Sequence, residues 1–324
     1  MNDPSRCRIC LALLEEGVED YHVACSRRLF DSPVPPVLPY SWDDLNALAE
    51  QVVRRHVTVP GVQPKMSLHL ERGKSHGRLT LVGMEGDLIL KPPVAAYPEM
   101  PELEHVTLRM AEAMGIQTAS GGLIALQDGR WAFISRRMDR ADSTKRHMED
   151  LCQLTDRLTE RKYSGSLEQV GKVIWRHCEH PGFDALRFFE LSIFCFLTGN
   201  ADMHLKNFSL LYDPGGPAHL APAYDLLPTA LLLPEDRDET ALTVNGRKRR
   251  LRQDDFLHLA KALSLTDKQV RNTFNRLTDK LDAALDILTR GFCGDTTKQR
   301  YRELLLRRAG HLNMVCASRH ASPD

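Results

Sequence analysis

The densest group of reactive side chains lies on one short stretch, Gly199-Asn200-Ala201-Asp202-Met203-His204-Leu205-Lys206-Asn207. A carboxylate, an imidazole, an ammonium and a carboxamide follow one another between an apolar helix-like run, Phe188 to Leu197, and a strand-like run, Phe208 to Leu211. Asp202 and Asn207 have the spacing of a phosphoryl-transfer loop, in which an Asp orients and deprotonates the attacking hydroxyl and an Asn further on holds a metal ion. Asp225, in Ala223-Tyr224-Asp225-Leu226-Leu227, follows the next apolar segment, where a second magnesium-binding carboxylate belongs. Asp and Asn are also ordinary capping and turn residues, so spacing alone leaves a structural loop open.

Three further groups could do chemistry. Thr58-Val59-Pro60-Gly61-Val62-Gln63-Pro64-Lys65 sets a glycine and an ammonium between apolar strands. A glycine lets backbone amides approach phosphate oxygens, but the stretch lacks both the Walker pattern and G-x-G-x-x-G, and a hairpin turn fits it as well. Lys91 ends the apolar strand Asp87 to Lys91, where it can brace nucleotide phosphates or simply be a solvated strand end. Cys7-x-x-Cys10 and His22-x-x-Cys25 form two close pairs separated by a loop, as in a tetrahedral structural zinc site; chance neighbours in a short helix are the alternative. Cys152, Cys178, Cys195, Cys293 and Cys316 show no such pairing.

These groups need elements to hold them. The chain of 324 residues is long enough for two lobes. Its 43 Lys+Arg balance 43 Asp+Glu, so no global basic field argues for nucleic acid. The dense run Arg247 to Arg252 reads first as a solvated turn, and only secondarily as a local contact with nucleic acid or an acidic protein. No long apolar run implies a membrane span and no signal region follows Met1, so a cytoplasmic location is expected. A Pro-rich connector from Phe30 to Tyr40 precedes a helix that starts at Ser41 with a cap and an acidic first turn and runs to about His56. Leu79 to Val82 and Asp87 to Lys91 read as a hairpin, Glu102 to Met114 as a helix, and Gly122 to Leu126 with Trp131 to Ser135 as a second hairpin. Helices are expected over Leu167 to His177, Asp184 to Leu197, Phe256 to Leu263, Lys268 to Thr289 and Lys298 to Met314.

Two segments carry a family resemblance. GNADMHLKNFSLLYDPGG followed by LAPAYDLLP resembles the catalytic and metal-binding segments of HipA-like serine/threonine kinases, the toxin halves of bacterial toxin–antitoxin pairs. Pro60-Gly61-Val62-Gln63-Pro64-Lys65 is similar to that family's glycine-rich loop, and Ile89-Leu90-Lys91-Pro92-Pro93 looks like its phosphate-binding lysine strand. The resemblance covers roughly Thr58 to Leu263. It implies an α+β, bilobal, kinase-like fold with a small mixed, β-rich N-lobe over 31–140 and a larger all-helical C-lobe over 141–324, preceded by the zinc-knuckle-like segment over 1–30 that the Cys and His spacing suggests.

The resemblance implies residue roles as well. Asp202 is the catalytic base and Lys206 the cation that stabilises the transferring phosphoryl group. Asn207 and Asp225 hold magnesium. ATP is bound by Lys91 with Glu104 behind it (Glu102 being the competitor), by Gly61, Val62, Gln63 and Lys65, and by the hinge residues Ser135, Arg136 and Met138. His204 counts with this set and orients the loop. Thr58 stands where family members are autophosphorylated and so shut off, although Ser is more frequent there. No catalytic role is expected of His147 or Tyr163. The short stretch before the glycine loop resembles the HipT branch. The partners so implied are a HipB-like helix-turn-helix antitoxin, a small HipS-like protein and an aminoacyl-tRNA synthetase substrate, tryptophanyl-tRNA synthetase first, with nucleic acid met only through the antitoxin. A nucleotide-binding pseudokinase acting as co-repressor is the alternative.

Overall fold

The structure, a computed structural model, describes residues 5–55, 63–71, 77–82, 86–141 and 144–314. Thr58, Gly61 and Val62 lie outside them. The chain forms two compact units: unit 1 comprises Met1–Val106, Ala119–Arg137 and Arg290–Gly294, and unit 2 comprises Thr107–Thr118, Met138–Thr289 and Asp295–Asp324.

Unit 1 contains helices α1 (Val23–Phe30) and α2 (Trp42–Arg55), strands β1 (Met66–Glu71), β2 (Arg78–Val82) and β3 (Leu88–Lys91), the first turns of α3 (Met100–Ala113), and strands β4 (Gly121–Ala125) and β5 (Trp131–Arg136). At the start of α2, Ser41 Oγ donates to Asp44 Oδ2 at 2.6 Å while the Asp44 amide donates to Ser41 Oγ at 3.2 Å, the reciprocal cap its sequence predicts. The strands form one antiparallel sheet in the order β2-β1-β3-β5-β4. The hairpin expected between β2 and β3 does not form: β1 lies between them, with Leu68 opposite both Leu81 and Leu88. The reason is the apolar alternation Met66, Leu68, Leu70 on β1, which gives both neighbours one face to pack on. Leu68, Leu79, Leu88, Leu90, Ile124, Ala132 and Ile134 then form one buried cluster with Cys7, Ile9, Tyr21, Leu29 and Phe30 from the N-terminal segment.

Unit 2 holds the rest of α3, then the short hairpin β6 (Arg140–Ala141) and β7 (Thr144–Lys145), β8 (Met148–Asp150), α4 (Leu151–Leu154), α5 (Leu167–His177) and α6 (Pro181–Thr198). It continues through β9 (Ser209–Tyr212), β10 (Ala218–Leu220), α7 (Thr229–Leu232), α8 (Gln253–Ala262), α9 (Asp267–Asp279), α10 (Leu281–Arg290) and α11 (Asp295–His311). The expectation of an all-helical lobe is corrected here. β10, β9 and β8 form a three-stranded sheet, with Met148 opposite Leu211 and Asp150 opposite Ser209. The pairing satisfies the backbone polar groups of a buried run, Ser209-Leu210-Leu211, that no helix includes. The single helix expected over Lys268 to Thr289 is two, separated at Lys280. No helix among the described residues is long and apolar enough to cross a membrane.

α6 is the core of unit 2 and the support of its reactive loop. Phe188, Phe189, Leu191, Ile193, Phe194, Phe196 and Leu197 are all buried, so the helix is apolar around most of its circumference. It stops at Gly199, whose φ of +72° turns the chain left-handed while the Asn200 amide donates back to the Cys195 carbonyl at 2.9 Å. A Cβ at this position would meet Leu304 Cδ2 at 2.7 Å and Ala230 Cβ at 3.0 Å. Gly199→Ala is therefore expected to destabilise the protein by about 2 kcal/mol, through backbone strain and overpacking together. Equilibrium urea denaturation measures this, and an unchanged midpoint would contradict it.

Candidate active site and metal centre

The loop that leaves α6 is held by its own backbone and by distant side chains. The Ala201 amide donates to Thr229 Oγ1 at 2.8 Å, and Thr229 Oγ1 in turn donates to the Gly199 carbonyl at 3.3 Å. Asn200 Oδ1 accepts from the Asp202 amide at 3.2 Å, and its Nδ2 donates to the Asp225 carbonyl at 3.4 Å. Asn207 Nδ2 donates to the Asp202 carbonyl at 3.0 Å, so this loop joins Asp202 and Asn207 directly and the Asn207 carboxamide oxygen is the end available to a cation. Lys206 and Ser209 are bridged by Tyr224: its hydroxyl donates to the Lys206 carbonyl at 2.9 Å and lies 2.7 Å from Ser209 Oγ. The next residue, Asp225, sits at φ +59°, a left-handed conformation a non-glycine residue adopts only where its surroundings enforce it.

The side chains of this loop have partners that spacing did not reveal. Tyr163 donates its hydroxyl to Asp202 Oδ1 at 2.6 Å; burial first, and this hydrogen bond second, raise the phenol above its ordinary range. Its ring meets His204 edge-on at 5.0 Å between centroids. His204 is buried, and burial holds its imidazole below the ordinary value, so it is neutral at neutral pH; Nδ1 makes no hydrogen bond among the described residues. Lys206 pairs with Asp150 Oδ2 at 2.6 Å, so its charge is already answered in this conformation. Tyr163, Asp150 and Thr229 are thus the contributors that sequence reasoning missed, because each reaches the loop from a remote stretch of chain.

Unit 1 holds the other candidate nucleotide-binding residues apart from Met138. Lys91 Nζ lies 2.5 Å from Glu104 Oε1, and the two residues are only 5% and 2% exposed. β3 supplies the lysine and α3 the glutamate. The helix also decides between the two carboxylates: Glu102, two positions earlier, lies about 200° around the axis. Glu102 instead lines an apolar pocket with Trp42, Pro93, Val94 and Trp131, where its Oε2 makes no hydrogen bond among the described residues and burial raises its carboxyl to about 7. Gln63 Nε2 donates to the Pro92 carbonyl at 3.0 Å, next to Lys91, whereas Lys65 is exposed. Ser135 is half-buried on β5 opposite Gly121 and Ile89. The Arg136 side chain is tied to Asp31 at 2.6 Å and to the Leu29 carbonyl at 3.2 Å. Met138 is half-buried in unit 2.

The N-terminal segment brings Cys7, Cys10, His22 and Cys25 together, with one ligand atom from each inside a 4.8 Å cluster. Bonds of about 2.3 Å to sulfur and 2.0 Å to nitrogen fit a tetrahedral zinc ion into that spread. The histidine is set for it: Nε2 lies 2.9 Å from the Leu13 carbonyl, to which it donates, while Nδ1 faces Cys10 Sγ at 3.3 Å.

Two stability measurements follow from unit 1. Glu104→Gln removes the carboxylate that pairs with the buried Lys91 ammonium and is expected to cost about 3 kcal/mol, while Lys91→Met with Glu104→Leu recovers most of that loss. Urea titrations of the three proteins give the comparison. For Glu102 the folded carboxyl titrates at about 7 against an ordinary 4.5, so the fold favours the protonated form. Its stabilising contribution is complete below pH 4.5 and is lost as pH rises to about 7. Glu102→Gln should remove that slope and be more stable than wild type at pH 8 by on the order of 3 kcal/mol.

Known proteins align with this arrangement. The HipA-like C-terminal domain profile matches residues 57–285. A Haemophilus influenzae protein named "Putative kinase" is 29% identical over 68% of this chain and 67% of its own length. A similarly named Sinorhizobium fredii protein is 31% identical over 70% of this chain and 58% of its own. The serine/threonine-protein kinase toxin HipA of Shewanella oneidensis is 28% identical over 53% of this chain and 43% of its own. The matches thus span between under half and two thirds of the relatives' lengths. Among solved structures, HipA in the Shewanella oneidensis complex with HipB and operator DNA superposes with a TM-score of 0.67 at 21% identity, covering 82% of this chain and 71% of that one. The Helicobacter pylori proinflammatory kinase CtkA gives 0.55 at 17%, covering 78% and 95%. These two likenesses establish a kinase-like α+β fold, and the profile match over most of the chain establishes more: it belongs to the HipA-like C-terminal domain family.

Proposed function

We propose that this chain is an ATP-dependent serine/threonine protein kinase acting as the toxin of a bacterial toxin–antitoxin system. The observation that carries the reading is the hydrogen-bonded Asp202–Asn207 loop beside an Asp225 held at positive φ, in a chain that also buries a Lys91–Glu104 pair. In this reading the Asp202 carboxylate takes the proton of a protein hydroxyl while that oxygen forms its bond to the γ-phosphorus and the bond to ADP breaks. Tyr163 fixes the carboxylate by donating to one of its oxygens, leaving the other for the incoming hydroxyl. Lys91, braced by Glu104, binds the α- and β-phosphates, and Gly61, Val62, Gln63 and Lys65 belong to the loop that covers them. Ser135, Arg136 and Met138 lie at the adenine hinge, where backbone groups do the binding, and His204 orients its loop as a neutral imidazole. Asn207 and Asp225 fit magnesium through a carboxamide oxygen and a carboxylate; when bound, the ion neutralises charge on the β- and γ-phosphoryl oxygens. Lys206 reaches the transferring group by exchanging Asp150 for it.

The proposed substrate is an aminoacyl-tRNA synthetase, tryptophanyl-tRNA synthetase first, and phosphorylation of Thr58 is the self-inhibiting step. A HipB-like antitoxin and a small HipS-like protein, as in the HipT branch, are the proposed partners; a structural neighbour's complex with HipB supports the first. The four-ligand cluster holds one structural zinc ion.

Transfer of label from ATP with magnesium tests the enzyme. Wild type is expected to label itself at Thr58 and to label one synthetase. Asp202→Asn should reduce both by about a thousandfold, the scale of a lost general base, and Thr58→Ala should abolish self-labelling only. ATP binding without any labelled protein would overturn the kinase in favour of a nucleotide-binding co-repressor.

A further inference from the structure

The zinc cluster is not a separate appendage, because the Cys7–Cys10 loop is built into the sheet and helix that carry the Lys91–Glu104 pair. β4 is the edge strand of the unit 1 sheet, and the N-terminal segment covers that edge. The Leu123 amide donates to the Arg8 carbonyl at 2.9 Å, and the Leu123 carbonyl accepts from the Tyr21 hydroxyl at 2.7 Å. The fit is close: a Cβ on Gly122 would come within 2.7 Å of Ile9 Cγ1 and 3.0 Å of the Arg8 carbonyl oxygen. Arg8 is itself held by Asp20 at 2.5 Å and lies 4.3 Å over the Trp131 ring.

The next carbonyl in the same loop points to α3. Ile9 O accepts from His105 Nε2 at 2.9 Å, and both residues are fully buried. His105 immediately follows Glu104, and its ring stacks near Phe292 at 6.4 Å between centroids. Two consecutive carbonyls between Cys7 and Cys10 therefore fix the sheet edge and the helix at once. The other half of the ion pair rests on the same loop, since Cys7 and Ile9 share a buried cluster with Leu88 and Leu90, the residues of β3 that lead to Lys91.

We propose that the Cys7/Cys10/His22/Cys25 zinc site is the positioning device for the Glu104 helix, acting through the Ile9 carbonyl and His105. Bound zinc fixes the direction of the Ile9 carbonyl, that carbonyl fixes His105, and the helix register this sets keeps Glu104 on Lys91. A cluster of thiolates is sensitive to oxidants and chelators, so loss of the metal loosens the phosphate-binding lysine without altering any residue of the catalytic loop. The ATP-related consequence rests on the kinase reading; the mechanical consequence does not.

The test uses the full chain in three forms: wild type, wild type stripped of metal by a thiol reagent and chelator, and His105→Phe, which keeps a ring against Phe292 but has no N–H to donate. Metal content, hydrogen exchange of the α3 amides and affinity for a fluorescent ATP analogue are read on each. Wild type is expected to hold one zinc per chain. Stripping should speed α3 exchange and weaken the analogue by about five- to tenfold, the scale of one buried hydrogen bond. His105→Phe should keep its zinc and show the same shifts, and His105→Gln, which restores a donor, should return toward wild type. Unchanged α3 exchange in His105→Phe would overturn the proposal, as would absence of zinc from wild type. If stripping unfolds the chain, His105→Phe, with all four ligands intact, decides. Should no form bind the analogue, the kinase reading fails while α3 exchange still judges the zinc relay.

Discussion

The buried Lys91–Glu104 contact is the constraint on which unit 1 depends. Removing an ammonium and a carboxylate from water costs several kcal/mol for each, and their attraction offsets this only when the geometry is held closely. Apolar residues of similar size would fill the site at least as stably, so the pair is better explained by what a fixed cation can bind than by stability. Holding it requires a strand that cannot slide and a helix that cannot turn. β3 meets the first requirement by lying between β1 and β5, with Leu90 opposite both Met66 and Ile134. For the second, the non-directional apolar attraction on α3 is joined by a directional contact, the His105 hydrogen bond to the Ile9 carbonyl.

Unit 2 solves a different problem, which is to keep a polar loop in one conformation at the end of an apolar helix. Its backbone is satisfied by carboxamide and hydroxyl groups from Asn200, Asn207 and Thr229, each bonded to a main-chain atom of the loop or of the Asp225 turn. The carboxylate of Asp202 is then oriented by one strong donor, Tyr163. A short, directional set of this kind costs no reorganisation when charge develops, which is the condition for electrostatic catalysis. The positive φ of Asp225 fits the same logic, since strain of that sort persists only where neighbours enforce it.

Much of this was legible in the sequence, and the reasons divide by range. Gly199 and the Asp202-to-Asn207 spacing announced the loop because cap, turn and chemistry are all local. The family resemblance gave Glu104 a claim on the lysine, but only the distance excluded Glu102, whose raised carboxyl depends on a pocket assembled from Trp42, Pro93 and Trp131. The place of β1 between β2 and β3 was missed because two apolar strands close in sequence read as a hairpin unless a third outcompetes the turn. The β8 strand was missed for the opposite reason: its three residues carry little signal, and the pairing with β9 is decided by a partner sixty residues away. Tyr163 and Asp150 also reach the loop from distant stretches, and no local pattern marks either.

The cysteine and histidine spacing was plain in the sequence, but its attachment to α3 was not, and the attachment is what gives the cluster a role. A buried imidazole between two elements can hold a helix only if its acceptor has a fixed direction. Ile9 lies on a short loop that covers an edge strand, with little helix or sheet of its own to stiffen it. A small lobe has limited core to spend on such a loop, and four metal bonds would fix it at the cost of very few residues. The direction of one carbonyl then passes to His105, from His105 to the helix, and from the helix to the carboxylate that faces Lys91. In that chain each link is a single bond with a defined direction, so under the proposed relay the state of a bound metal and the state of the ion pair would change together.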